Sequence, residues 1–180
     1  MTAQETVELI SKVVAIVGGL TAAFLAIWQA GQNLKQRKRE LRWKQAELGK
    51  KIIDEIFDYQ PSRDALLMVE GRKRHYKITE GDSEVIVYPE IISALRLEVS
   101  NNRRRQIYIQ DGFDSLFYYL DRIEHFLGIN LITFDDVRNP MEYYARKMAK
   151  DKKVFLDYIN TINYKGAAEF LNRFQSWQQA

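Results

Sequence analysis

Residues 9–28, LISKVVAIVGGLTAAFLAIW, form a nearly unbroken apolar run, and after Lys12 the next charged side chain is Lys35. About 20 apolar residues in a helix cross a bilayer, so the pattern predicts a transmembrane helix. Thr2 with Glu5 has capping-box spacing, which would start the helix well before the membrane. From residue 29 to 59 the pattern changes to a helical stripe: Leu34, Leu41, Leu48, Ile52, Ile53, Ile56 and Phe57. Leu34, Leu41 and Leu48 stand seven apart, the spacing of a short coiled-coil seam. Pro61 and Ser62 end this helix.

Beyond them the pattern predicts a short helix over 64–70 stopped by Gly71 and strands over 76–79 and 84–88. Helices follow over 90–99 and 103–127, the second stopped by Gly128. Thr133 is an N-cap with Asp135 and Asp136 in the first turn of a helix over 134–137. Asn139 and Pro140 interrupt that helix, and it restarts over 141–149. Helices over 153–158 and 167–177 complete the chain. The expected fold is mainly α: an N-terminal transmembrane helix continuing into a small cytosolic helical bundle with one β-hairpin insertion near 75–88. Three segments follow: 1–34, tail and span; 35–60, a basic juxtamembrane helix; and 61–180, the helical domain.

Small residues in the span are ordered. Ser11, Ala15, Gly19 and Ala23 recur every four positions, and Gly18, Ala22, Ala26 and Ala30 form an adjacent ridge. Such spacing lets helix backbones approach closely in lipid. Ala15, Gly18, Gly19, Ala22, Ala23 and Ala26 are therefore the expected assembly or pore-lining positions. Two adjacent small ridges suit a ring, in which each helix touches two neighbours. The alternative is that Ala and Gly are simply common in membrane helices.

Charge fixes the orientation. The formal net charge is +3, yet eight Lys or Arg against two Glu fall between residues 35 and 51, and the remainder is slightly acidic. Lys35, Arg37, Lys38, Arg39 and Arg42, with Trp43 among them, are expected at the lipid headgroups. An RNA-binding strip is the other reading, but stacking aromatics are not interleaved with the basic residues. The positive-inside rule keeps the collar and the C-terminal domain cytoplasmic, with the N-terminus outside: a single-pass protein of the inner (cytoplasmic) membrane. A cleaved signal peptide would carry its basic residues ahead of the apolar core, where Glu5 and Glu8 stand here. A buried helix of a soluble oligomer remains the competing reading, favoured by Gln29, Gln32, Asn33 and Lys12.

There is no cysteine and there are two histidines. Thiolate zinc sites and cysteine nucleophiles are excluded, and no phosphate-binding loop, serine elbow or paired-histidine zinc motif occurs. No metal, cofactor or small-molecule substrate is expected. His75, beside Arg72, Lys73 and Arg74, reads as part of a solvated hairpin edge. The one arrangement with catalytic chemistry is Asp121, Arg122, Glu124 and His125. Arg122 and His125 are three apart, hence neighbours on one helix face, and such a pair can hold a phosphate or move protons on RNA. Helical HEPN ribonucleases place four to six residues between Arg and His, whereas only Ile123 and Glu124 lie between these two. Structural ion pairs with Glu124 or Asp121 are the simpler role, and the chain is not expected to be an enzyme.

The runs RWKQAELGKKIIDEIFD, RDALLMVE, RHYKI with EVIVYPEIISALR, GFDSLFYYLDRIEHFLG, LITFDDVRNPMEYYARKM and YKGAAEFLNRF, with the single N-terminal span, resemble small bacterial membrane-anchored proteins with a helical HEPN-like cytosolic domain. They are similar to the membrane accessory proteins of type VI-B CRISPR systems. The resemblance implies a homo-oligomeric ring with a membrane pore that strengthens antiphage defence by disturbing membrane potential. Its implied partners are further copies of itself, membrane lipid and, indirectly, an RNA-guided nuclease or RNA. A membrane-tethered HEPN-like ribonuclease and a passive anchored adaptor are the alternatives.

Overall fold

The computed structural model describes the backbone of residues 3–71, 74–79, 82–98 and 102–179, and the side chains of these from residue 18 on, except 20–23, 79 and 82. Among the described residues the chain is mainly helical, with one two-stranded antiparallel sheet. In order come α1 (Ala3–Asp58), α2 (Gln60–Val69), β1 (Arg74–Thr79), β2 (Asp82–Ile86), α3 (Tyr88–Leu95), α4 (Arg103–Gly128), α5 (Phe134–Met148), α6 (Lys152–Thr161), α7 (Lys165–Asn172) and α8 (Gln175–Gln178). A 3-10 turn, Ala149–Asp151, joins α5 to α6. The chain divides into two units, Met1–Lys44 and Gln45–Ala180.

The second unit is built around α4. Its buried positions Ile109, Phe113, Leu116, Leu120, Ile123 and Leu127 alternate spacings of four and three, with Phe117 beside Leu116, which puts one continuous apolar stripe on the helix. α2, α3 and α7 pack against it. The last turns of α1 belong to the same core: Ile52, Ile53 and Ile56 are buried. The apolar stripe read along residues 34–57 therefore has two fates, because Leu34 and Leu41 are exposed while Leu48 packs against this core. Each fully buried Leu, Ile or Phe contributes about 1.5–3 kcal/mol relative to exposure.

Polar ties fix the elements around that stripe. Arg105 on α4 donates from Nε to Glu84 Oε2 at 2.9 Å and also pairs with Glu90, joining β2 and α3 to α4. Hydroxyls of Tyr108 and Tyr158 donate to Asp64 and Asp114 at 2.5 and 2.6 Å. Two glycines allow close backbone approach. A Cβ on Gly49 would lie 2.7 Å from Asp136 Cβ, and one on Gly166 would lie 2.7 Å from Asp121 Oδ1. A larger residue at Gly49 would push α1 from α5, and one at Gly166 would displace the Asp121 carboxylate that accepts its N–H.

Several element ends differ from the sequence expectation. α5 runs unbroken through Pro140. Its first turn is fastened by Thr133, whose backbone N–H and hydroxyl each donate to Asp136 Oδ2 at 2.8 Å, and Val137, Met141, Ala145 and Met148 bury one face. That burial outweighs the roughly 3 kcal/mol cost of an interior proline. Gly128 is helical. The stop after it is Asn130 in the left-handed region (φ 57°), with Leu131 N–H donating to Phe126 O at 2.9 Å. The helix expected over 167–177 is two, α7 and α8, with Arg173 and Phe174 between them. The hairpin pairs Tyr76 with Glu84 and Arg74 with Ile86, and α3 begins at Tyr88, two residues earlier than expected.

Among the described residues no helix is long and apolar enough to cross a membrane. In the stretch 9–28 the side chains of residues 9–17 and 20–23 lie outside those described, as do those of Ala15, Ala22 and Ala23 among the expected assembly positions.

Candidate functional site

In the N-terminal unit the described side chains of α1 are exposed over a long stretch. Phe24 is 70% exposed, Ile27 73% and Trp28 57%. At about 100° per residue these three lie at i, i+3 and i+4, on one face. Lys35, Arg39 and Arg42 continue that face, each exposed, so large apolar side chains give way to basic ones along one side of the helix. Arg37, Lys38 and Trp43 are exposed too and spread the collar around the helix. Ala26, Ala30 and Leu34, four apart, occupy the neighbouring flank, with Leu41 seven further on. A Cβ added to Gly18, Gly19 or Gly31 would meet nothing within 4 Å. The helix thus presents a bulky apolar-then-basic side and a flank of small residues, both uncovered in a single copy.

The Arg122–His125 locus is on the second unit, and its four charged or titratable members part company. Asp121 Oδ1 accepts the Gly166 N–H at 2.7 Å. Arg122 donates to Glu55 Oε2 at 2.8 Å and stands 5.5 Å over the Phe126 ring. Glu124, 9% exposed, takes a two-pronged pair from Arg173, at 2.7 and 2.5 Å. His125 is exposed beside Phe126. Three of the four fasten α4 to α7, to α1 and to the α7–α8 connection, and their partners are Glu55, Arg173 and Gly166 rather than one another. Among the described residues no ion pair or side-chain hydrogen bond joins His125 to Asp121, Arg122 or Glu124.

No family model, no curated protein and no solved structure matches the chain. Its function is therefore argued from its own residues.

Among the described residues there is no group of three His, Cys, Asp or Glu able to hold a metal ion. His75 lies on β1 opposite Val85, exposed, as a hairpin edge requires. Two surface clefts of the second unit were not legible in the sequence. One, about 580 Å³, is lined by Arg96, Leu97, Lys150, Lys152 and Lys153 together with Asp151 and Asp157. Its cations are largely engaged: Lys152 Nζ donates to Trp177 O at 2.7 Å, Lys153 pairs with Asp157 at 2.9 Å, and Asp151 accepts the Tyr88 hydroxyl at 2.6 Å. The other, about 310 Å³, is lined by Tyr59, Asp114, Ser115, Tyr118, Tyr119 and Tyr164. Its tyrosines come from the α1–α2 junction, the middle of α4 and the start of α7, so no sequence window contains them together. Only the pair Tyr118–Tyr119 hinted at it.

Burial raises the hydroxyls of Tyr76, Tyr88, Tyr108 and Tyr158 in this unit. Tyr76 is pushed up to about 12, by burial first and by nearby Asp64 and Glu70 next, with Arg74 opposing. Tyr88, Tyr108 and Tyr158 rise further, by burial and then by hydrogen bonding to Asp151, Asp64 and Asp114. Burial also raises Asp114, against the lowering effect of the Tyr158 hydrogen bond.

Proposed function

We propose that this chain is a single-pass, homo-oligomeric membrane protein that alters membrane permeability, with its N-terminus outside and the Gln45–Ala180 unit cytoplasmic. The observation that carries the reading is the exposed run of Phe24, Ile27 and Trp28, on a helix without charge from Lys12 to Lys35, ending in a basic collar. In water such a side would be an aggregation liability; in lipid it is a solvated surface. The collar then meets anionic headgroups and holds the cytoplasmic side.

Assembly accounts for the other flank. Helices in lipid gain little from burying apolar bulk and associate through close backbone contact at small residues. Gly18, Gly19 and Ala26 supply that surface, the sequence spacing of Ala15, Ala22 and Ala23 follows the same ridges, and Leu34 and Leu41 extend the seam beyond the bilayer. Two contiguous small ridges favour a closed ring over a dimer. The resemblance read from the sequence adds the expectation that such a ring serves antiphage defence beside an RNA-guided nuclease.

The test is sizing of the full chain in detergent, followed by dye release from liposomes that contain it. An oligomer larger than a dimer that releases dye is the expected result. Gly19→Leu should dissociate the oligomer and abolish release while leaving the helical signal of the cytoplasmic unit unchanged. A monomer would favour a passive anchored adaptor, and an intact oligomer without leakage would remove the permeability function.

A further inference from the structure

We propose that the cleft formed by Tyr59, Tyr118, Tyr119 and Tyr164 around Asp114 binds a quaternary ammonium group, free or as a choline headgroup. Four tyrosines line the cleft, and successive rings meet edge-on at steep angles. Tyr59 and Tyr119 have centroids 6.2 Å apart at 60°, Tyr118 and Tyr119 5.6 Å at 67°, and Tyr118 and Tyr164 6.3 Å at 65°. Two perpendicular ring faces that share a cation about 4.5 Å from each centroid, inside the roughly 6 Å reach of a cation–π contact, have centroids about 6.4 Å apart. The observed spacings and angles approach that arrangement for three successive pairs.

The charge around the cleft has the matching sign. Asp114 forms part of its lining, with Oδ1 accepting the Tyr158 hydroxyl at 2.6 Å and no Lys or Arg among the described residues paired with it. Asp111 acts on Asp114, Asp121 acts on Tyr164 and Glu55 acts on Tyr119. The cation that acts on Tyr119 is Arg122, already paired with Glu55. A half-buried carboxylate without a cationic partner, in a cleft lined by four tyrosines, gains from a cation that offers no hydrogen bonds and sheds its water easily. Single-stranded RNA, which also stacks on aromatics, would bring phosphates toward the same carboxylates and is disfavoured.

Saturation-transfer NMR on the N-methyl protons of tetramethylammonium and choline decides the matter, with the full chain held in a maltoside detergent. Saturable transfer is expected for both. The uncharged choline isostere 3,3-dimethylbutanol should give at least tenfold weaker binding. Tyr118→Ala, at a half-exposed position whose loss the fold tolerates, and Asp114→Asn, which keeps an acceptor for Tyr158, should each weaken choline binding about five- to thirtyfold. Reconstitution into phosphatidylcholine and phosphatidylglycerol vesicles separates the sources: displacement of choline in the first alone assigns the headgroup, and equal choline binding in both assigns the free cation. No saturable transfer, equal affinity for the isostere, or unchanged binding in both variants would overturn the site.

Discussion

Leu97 is held in the left-handed backbone region (φ 58°) where α3 ends, with Glu98 N–H donating to Ser93 O at 3.1 Å. Asn130 and Asn163 take the same conformation after α4 and α6, and asparagine adopts it far more readily than leucine. Half of the Leu97 side chain is exposed, so little packing is lost on removing it. Leu97→Gly should therefore stabilise the protein by about 1 kcal/mol, read as a higher midpoint in chemical denaturation; an unchanged or lower midpoint would show that the side chain does more at the basic cleft than its exposure implies. This residue shows where sequence reading fails. A helix end marked by glycine, as at Gly71 (φ 72°), is visible in the letters, whereas a leucine forced into the glycine role by its hydrogen bonds is not. Gly128 misleads in the opposite way, since the turn it promised falls two residues later on Asn130.

At the scale of elements, apolar spacing was informative and interruption only in part: Pro61 and Gly71 mark real boundaries, whereas Pro140 does not. The stripe of α4, the two strands and the Thr133 start of α5 follow from periodicity and capping chemistry, because both act within a few residues. The continuity of α5 through Pro140 depends on what Val137, Met141, Ala145 and Met148 are buried against, which only the fold supplies. The same holds for the charged cluster on α4: its partners Glu55, Gly166 and Arg173 come from distant segments, so spacing alone could not separate fasteners from catalysts. Pro140 still lacks a backbone N–H in the seventh position of the helix. Pro140→Ala should restore that donor and stabilise the fold by about 1–2 kcal/mol, after allowing for the greater freedom of the unfolded alanine chain. A loss of stability, measured by thermal unfolding, would mean that the half-buried proline ring packs better than its missing hydrogen bond costs.

For the whole molecule, the apolar run, its collar and the helical bundle were all legible in composition and periodicity, while the division after Lys44 was not. The sequence pattern carries one helical stripe past residue 44, yet Ile52, Ile53 and Ile56 enter the compact core and Leu34 and Leu41 do not. That difference yields a prediction. Residues 45–180 expressed alone should fold cooperatively in plain buffer, because the core draws no described residue from before Gln45, whereas the full chain should need detergent to stay dispersed. The fragment also isolates the alkaline behaviour of the buried tyrosines. Their unfolded hydroxyls ionise near pH 10, and in the fold those of Tyr76, Tyr88, Tyr108 and Tyr158 are raised above that. A raised acid keeps its proton in the native state, so the stability tied to it is complete below about pH 10 and is lost as the pH climbs through the folded values. The thermal midpoint should stay level to about pH 9 and then fall steeply, and Tyr158→Phe should make that fall shallower. Equal slopes in the fragment and its Tyr158→Phe variant would mean that lysine deprotonation, not tyrosine ionisation, drives the loss.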